Sequence, residues 1–557
     1  MRILQKPRHQ FIFFLLLFFI INFLQIIFSE VIEDEAYYWV WSQDLAFGYF
    51  DHPPLVALWI RISSLFFDGE MGVRFFSTLS FTLMLIVIWK MIDLKNKNNY
   101  IWLFFVLIIS MAMLNIYGFI TTPDTPLLLF TAIFLYFYQR FLKEESWLYT
   151  FGLGFAMAGM LYSKYHGILV IFFTVLSNFK LLKNKRFWIA SGFGFLLFFP
   201  HLYWQYINDY PSFRYHLIER GAKKYKFEYT LMHFVNQIAI VGITFPLIYY
   251  AFFKEQAKNN FEKALKYIVY GFFIIFFFSS FKSNPQAQWT VVILIPLILF
   301  SFRFFVNHPQ LRKKLVYIAM IQLAILLVAR VFFASEKLSP VVLEPHLAKT
   351  WVYKLEKKTD HKPLVFLNYA YRSASVYYFY TGIRTHVYSI LQGRKSQYDI
   401  DDSEAFMQHK DVYAVSDIVK GPFLVMKGDK KLRGTPINNF TTFQKVKCIL
   451  PGKEMILTPG KEVKLSFEIF NTYQKDITFE NVEILGVFQK KKKVLKEISL
   501  KFNDLKVMKA KEKKILKTSF TAPDIEYDKE TTFRISLRFY NLGDGFQGNK
   551  IKVKVIN

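Results

Sequence analysis

Cysteine is almost absent: Cys448 stands alone in 557 residues. A single thiol excludes a disulfide within the chain and any metal site built from several thiolates. A glycine-rich phosphate loop of the common nucleotide-binding types is also missing. The first apolar run, 11–28, lacks what a cleaved signal would need, because the FSEVIED that follows offers no small-residue cleavage site. Acidic residues are outnumbered 70 to 42 by basic ones, which leaves a net charge of +28. Such an excess would suit a nucleic-acid partner. It lies, however, in short loops between apolar runs and on a Lys-rich C-terminal region, where membrane orientation and a solvated surface account for it.

What the chain does have is apolar residues, at 53% of the total, with 19% aromatic and 65 Phe. They crowd into the first ~335 residues, and the remainder is mixed in character. The composition therefore predicts a polytopic α-helical membrane domain over 1–335, followed by a water-soluble region. Apolar runs at 11–28, 71–92, 100–118, 124–140, 148–163, 167–179, 187–204, 230–252, 264–281, 287–306 and 314–333 give about 11 spans. Basic residues fill alternate loops: Arg2, Lys6 and Arg8, then Lys95 and Lys97, Arg140 and Lys143, and Lys180–Arg186. That set is expected inside. The loops holding Glu33–Asp51, TTPDTP, SKYHG and FKSNPQAQW are poor in positive charge and are expected outside. The 205–228 loop, with Arg214, Arg220 and Lys223, is the exception among them.

The chemistry concentrates in that outer set. EDEAYYWVWSQDLAFGYFDHPPL, 33–55, holds Glu33, Asp34, Glu35 and Asp51 at a membrane surface. Ionisable groups at a low-dielectric boundary are candidates for function. Asp34 and Glu35 suit a general base, or equally the acidic first turn of a helix. Glu35 and Tyr38, in the same stretch, are candidate substrate contacts. Asp124 lies between two prolines in TTPDTP, where it suits a second site carboxylate or a helix cap. Asp51 and His52 precede a Pro-Pro that stiffens their backbone, so they suit a divalent cation, a phosphate or a sugar hydroxyl. One adjacent pair is a poor metal site without further ligands. Lys164 and His166 in LYSKYHG are candidate phosphate ligands, against a snorkelling lysine. His216, Arg220 and Lys282 would extend the same anion site.

Together DEAYYW, GYFDHPP, TTPDTP and SKY resemble bacterial members of the GT-C glycosyltransferases. The resemblance is nearest to the dolichyl-phosphate-mannose protein mannosyltransferase-like family 39, which includes the lipid A aminoarabinose transferase. It covers about 10–335. It implies a GT-C-like membrane domain, Asp34 as the catalytic carboxylate, Asp124 as the second outer-loop acid and Lys164 near a lipid phosphate. Asp51–His52 falls where relatives carry an acidic-basic-Pro-Pro segment, with His replacing the usual Lys.

Beyond 335, LVFLNY, VYSI, VYAVS and PFLVMK are short strand-like runs, which predict a small α/β subdomain over 336–440. EVKLSFEIF, TFRISLRFY and IKVKVIN alternate with period two. They predict an antiparallel, immunoglobulin-like β-sandwich over 441–557. The chain as a whole is expected to transfer a sugar from a polyprenyl-phosphate-linked donor to a lipid, protein or glycan acceptor, with inversion. The expected place is the outer face of a bacterial inner membrane, with the C-terminal region extracytoplasmic. A lipid-linked donor fits the missing nucleotide loop. A transporter or flippase for lipid-linked sugars would instead place ionisable groups deep inside the spans. A glycan ligase would share the expected topology.

Overall fold

The structure is a computed structural model that describes residues 6–219, 224–368, 370–502 and 505–556. It divides into two compact units, Met1–His346 and Leu347–Asn557.

The first unit is helical. An apolar stretch has to satisfy its backbone internally when no water is at hand, and the expected spans are helical accordingly. They include Pro7–Phe28, Gly69–Met91, Asp124–Phe141, Trp147–Ser163, Lys185–Ile207, Asn260–Ser280 and Pro309–Ala334. Among the described residues, five helices are long and apolar enough to cross a membrane, or six if one bent pair counts as a single span. The other expected spans are shorter, broken or more polar at their ends.

Two expected spans are interrupted. The 100–118 run splits into Ile101–Ile109 and Ala112–Tyr117, and 230–252 splits into Phe227–Val241 and Phe245–Lys254, which meet at 96°. Each break releases backbone groups that hydrocarbon cannot satisfy. Gln322, on the Pro309–Ala334 helix, serves both. Its Nε2 donates to the carbonyls of Ile109 at 2.8 Å and Val241 at 3.1 Å, and its Oε1 accepts from Thr244 N at 3.4 Å. The Thr244 hydroxyl donates to the Ser110 carbonyl at 3.0 Å. Gly242 has φ 91°, and a Cβ there would lie 2.3 Å from Gln322 Oε1. Glycine therefore provides both the turn and the room for the amide.

In the second unit, β1 (Leu364–Leu367), β2 (His386–Tyr388), β3 (Lys410–Ser416), β4 (Phe423–Lys427) and β5 (Lys430–Phe440) form one sheet in the order β2-β1-β3-β5-β4. Pairing is parallel on both sides of β1 and antiparallel at β3–β5 and β4–β5. The remaining strands are β6 (Lys447–Ile449), β7 (Glu454–Leu457), β8 (Glu462–Phe470), β9 (Ile477–Thr478) and β10 (Val482–Lys490). They continue with β11 (Lys493–Ser499), β12 (Val507–Met508), β13 (Lys513–Thr521), β14 (Thr531–Phe539) and β15 (Ile551–Val555). Sheets β11-β10-β14-β15-β7 and β13-β8-β6 enclose a core, and β12 pairs with β9. Along β8 the alternation works as read: Leu465, Phe467 and Ile469 are buried, while Lys464 and Ser466 are exposed. The pairing is not wholly antiparallel, because β15 runs parallel to β7. The α/β sheet and the sandwich share one core, in which Val365, Leu367 and Val412 join Phe539 and Leu542.

Candidate active site

The DEAYYW stretch forms a helix, Glu33–Gln43, with Glu33, Asp34 and Glu35 in its first turn, where the helix dipole favours acids. Adjacent residues on a helix point apart, and the carboxylates at 34 and 35 do so. Glu35 is fully buried. Its Oε1 accepts from Arg74 Nε at 2.8 Å and Thr121 N at 2.8 Å, and its Oε2 accepts from Arg74 Nη2 at 2.5 Å and Ile32 N at 3.1 Å. Arg74, itself buried, also donates to the carbonyls of Ser29 at 2.7 Å and Glu30 at 2.8 Å. Glu35 is thus a structural residue rather than the expected substrate contact, because its partners come from the chain. Asp34 is half-buried and one helical turn before Tyr38. The Tyr38 ring meets Trp41 at 4.9 Å and His52 at 6.3 Å, so this face of the helix leads to the GYFDHPP segment.

That segment is anchored from several sides. Gly48 lies flat against Trp204; a Cβ there would sit 2.3 Å from the indole. His201 Nδ1 lies 2.7 Å from the Phe47 carbonyl and Nε2 lies 2.9 Å from the Tyr165 hydroxyl. The imidazole therefore donates through Nδ1 and accepts through Nε2. Ser212 donates to the Tyr49 carbonyl at 2.8 Å, and His216 Nε2 to the Asp51 carbonyl at 2.8 Å. The Asp51 side chain is buried and accepts from the Tyr37 hydroxyl at 3.1 Å. No group of three or more His, Cys, Asp or Glu side chains gathers as a metal site among the described residues. The expected cation pair of Asp51 and His52 thus gains no third such ligand there.

Asp124 opens its helix, but its side chain does not cap it. It is buried and takes two hydrogen bonds from Lys164 Nζ, each 2.8 Å long. Lys164 follows the Trp147–Ser163 helix in extended conformation, which turns its side chain inward instead of along the apolar helix face. With 6% exposure, it is not snorkelling.

Lys164 also reaches a cavity of about 470 Å³, which His52, His166, His216 and Lys282 line as well. Phe276 and Trp289 give it an aromatic wall, their rings 5.5 and 5.8 Å from the His166 ring. Segments distant in sequence thus supply a basic and imidazole-rich lining beside apolar surface. Arg220, expected to join the group, lies outside the described residues. Arg74 was missed in the sequence, although a lone guanidinium inside the apolar run at 71–92 was a signal for it. Trp289 and Phe276 gave none, being indistinguishable from other span aromatics.

Residues 51–204 match the model of the dolichyl-phosphate-mannose-protein mannosyltransferase family. Two solved structures resemble the chain, both of ArnT from Cupriavidus metallidurans. The apo state is 13% identical with a TM-score of 0.54, and the form bound to undecaprenyl phosphate is 12% identical with a TM-score of 0.51. In each case 76% of this chain and 96% of the other are covered. The chain has the fold of ArnT and is a glycosyltransferase. Among the curated proteins, none matches this glycosyltransferase in sequence. The family-matched segment of the transferase contains Asp51, His52, Arg74, Asp124 and Lys164, while Asp34 and Glu35 precede it. The transferase is a multi-pass membrane protein.

Proposed function

We propose that this glycosyltransferase moves a sugar from a polyprenyl-phosphate-linked donor to a hydroxyl acceptor on the outer face of a bacterial inner membrane. The observation that carries the reading is the cavity in which Lys164, His52, His166, His216 and Lys282 converge beside Phe276 and Trp289. It offers donors for a phosphate and an apolar wall for the first isoprene units. An ammonium has three N–H donors. Asp124 takes two of those of Lys164, which leaves one for a donor phosphate oxygen. ArnT, whose fold this chain shares, has been solved with undecaprenyl phosphate.

On this reading Asp34 accepts the proton of the acceptor hydroxyl as its oxygen attacks the anomeric carbon. The bond from that carbon to the phosphate oxygen breaks, the configuration inverts, and the electron pair leaves on the phosphate. A phosphate is a stable anion and needs no general acid. Lys164 and its neighbours stabilise the charge that develops. The helix breaks argue against transport, because Gln322 and Thr244 line them with uncharged groups.

The test is transfer from a synthetic polyprenyl-phosphate sugar by purified, detergent-solubilised protein. Lys164→Ala should weaken use of the donor about 10-fold or more, the worth of a charge-assisted contact of roughly 1.5–3 kcal/mol. Unchanged donor kinetics would remove Lys164 from the phosphate site.

A further inference from the structure

We propose that the second unit holds a carbohydrate-binding site, formed where the α/β sheet changes direction. β1 pairs in parallel with β2 on one side and β3 on the other. The chain leaves β1 for β2 and then crosses back past β1 to reach β3. In open α/β sheets such a divergence opens a crevice beyond the carboxyl ends of the strands, and ligands bind there. A cavity of about 400 Å³ occupies this position, within the usual range for small-molecule sites. Asn368 follows β1 directly, Ile390 and Gln392 follow β2, and Ile418 follows β3; Arg538 and Leu542 close the far side.

The cavity is built rather than left over. Asn368 holds φ 66° at the end of β1, and its buried Oδ1 has no hydrogen-bond partner among the described residues. Buried amide oxygens are seldom left so, since each lost bond costs about 1–3 kcal/mol. Gly543, at φ 123°, keeps the opposite wall back, because a Cβ there would press on Ile390 at 3.1 Å.

The lining selects the ligand class. Arg538 is the cation among the described lining residues, yet Asp544 Oδ1 lies 2.6 Å from its Nη2 and 2.9 Å from its Nε, Glu483 lies 3.5 Å away, and Glu497 is also paired with it. An anion entering here would meet more carboxylates than guanidinium. Among the described residues the lining also has no aromatic side chain on which a nucleobase would stack. Amides from Asn368, Gln392 and Asn541 above an aliphatic floor of Ile390, Ile418 and Leu542 suit an uncharged, hydroxyl-rich ligand. Each amide can both donate to and accept from neighbouring hydroxyls. A neutral glycan fits these terms, and the assignment does not depend on the transferase reading.

The experiment is binding of purified full-length protein in detergent to an array of neutral, uronic-acid and phosphorylated oligosaccharides. Asp34→Asn protein serves as a parallel sample in which turnover is suppressed. Neutral glycans should be retained equally by wild type and Asp34→Asn. Asn368→Gly, which tolerates the same φ, and Gln392→Ala should each weaken retention, about 10-fold together. Ile418→Trp, at an exposed rim position, should abolish retention by filling the mouth, with the thermal melt unchanged. Equal neutral-glycan binding by wild type and Ile418→Trp would overturn the assignment. So would a preference for phosphorylated or uronic-acid sugars.

Discussion

Asp34→Asn and Glu35→Gln alter adjacent carboxylates by the same atom, yet the two should act on different quantities. The first removes the proposed base and keeps the helix, so transfer should fall about 10²–10⁴-fold with the melt unchanged. Transfer at the wild-type rate would leave Asp34 as a binding or gating group. The second uncouples a fully buried ion pair and leaves Arg74 uncompensated. Breaking such a pair costs about 3–5 kcal/mol, so Glu35→Gln should lower folded yield and melting temperature. A melt equal to wild type would show that the pair is dispensable. The acids were visible in the sequence as a cluster, but their division of labour was not. Glu35 and Arg74 are 39 residues apart, and Asp124 and Lys164 are 40 apart. No local pattern joins residues at such separations; the packing of helices does.

Single helices were largely legible. Long apolar runs have few other ways to satisfy their backbone, so Pro7–Phe28 and Pro309–Ala334 emerged close to their expected bounds. The breaks were not legible, because an apolar run reads the same whether or not it bends. Only Gly242 and Pro246, which lies in the first turn of the following helix, marked one of them. The short Leu55–Ser63 helix was also missed, since its nine residues are too few to signal a span. Gln322 should prove unusually costly to replace for a residue within an apolar helix. Gln322→Leu is close in size but leaves the carbonyls of Ile109 and Val241 without its amide. At about 1–3 kcal/mol per buried group left unsatisfied, the variant should unfold several degrees lower. Hydrogen exchange should accelerate around 109–112 and 241–245. A melt and exchange map equal to wild type would show that other groups serve the breaks.

At the scale of the whole molecule, pH should affect the second unit against habit. Burial raises Asp401 to about 6 and Asp544 to about 6, and raises Asp399 and Glu404 as well. A carboxyl whose folded pKa lies above its unfolded value near 4 contributes stability in full below about 4. It loses that contribution as pH rises through 6. Acidification from pH 7 to 5 should therefore strengthen protection of the 399–404 segment, by about 1.3 kcal/mol if Asp401 alone is counted. Hydrogen exchange corrected for intrinsic rate reads this directly, and weaker protection at pH 5 would contradict it. Sidedness is a second global property. Introduced cysteines in a Cys448-free chain should label from outside at 115–126 and beyond 346, and from inside at 180–186. Labelling of the C-terminal region only from the cytoplasm would invert the topology. The carboxylate beside Lys164 also bears on turnover. A lipid-linked sugar phosphodiester carries one negative charge, whereas the phosphomonoester left after transfer approaches two at neutral pH. Asp124, held 2.8 Å from the ammonium, offsets part of the attraction that Lys164 exerts on each of these charges. On the proposed reading, the resting ion pair thus limits how tightly spent carrier lipid is held, which helps it give way to fresh donor.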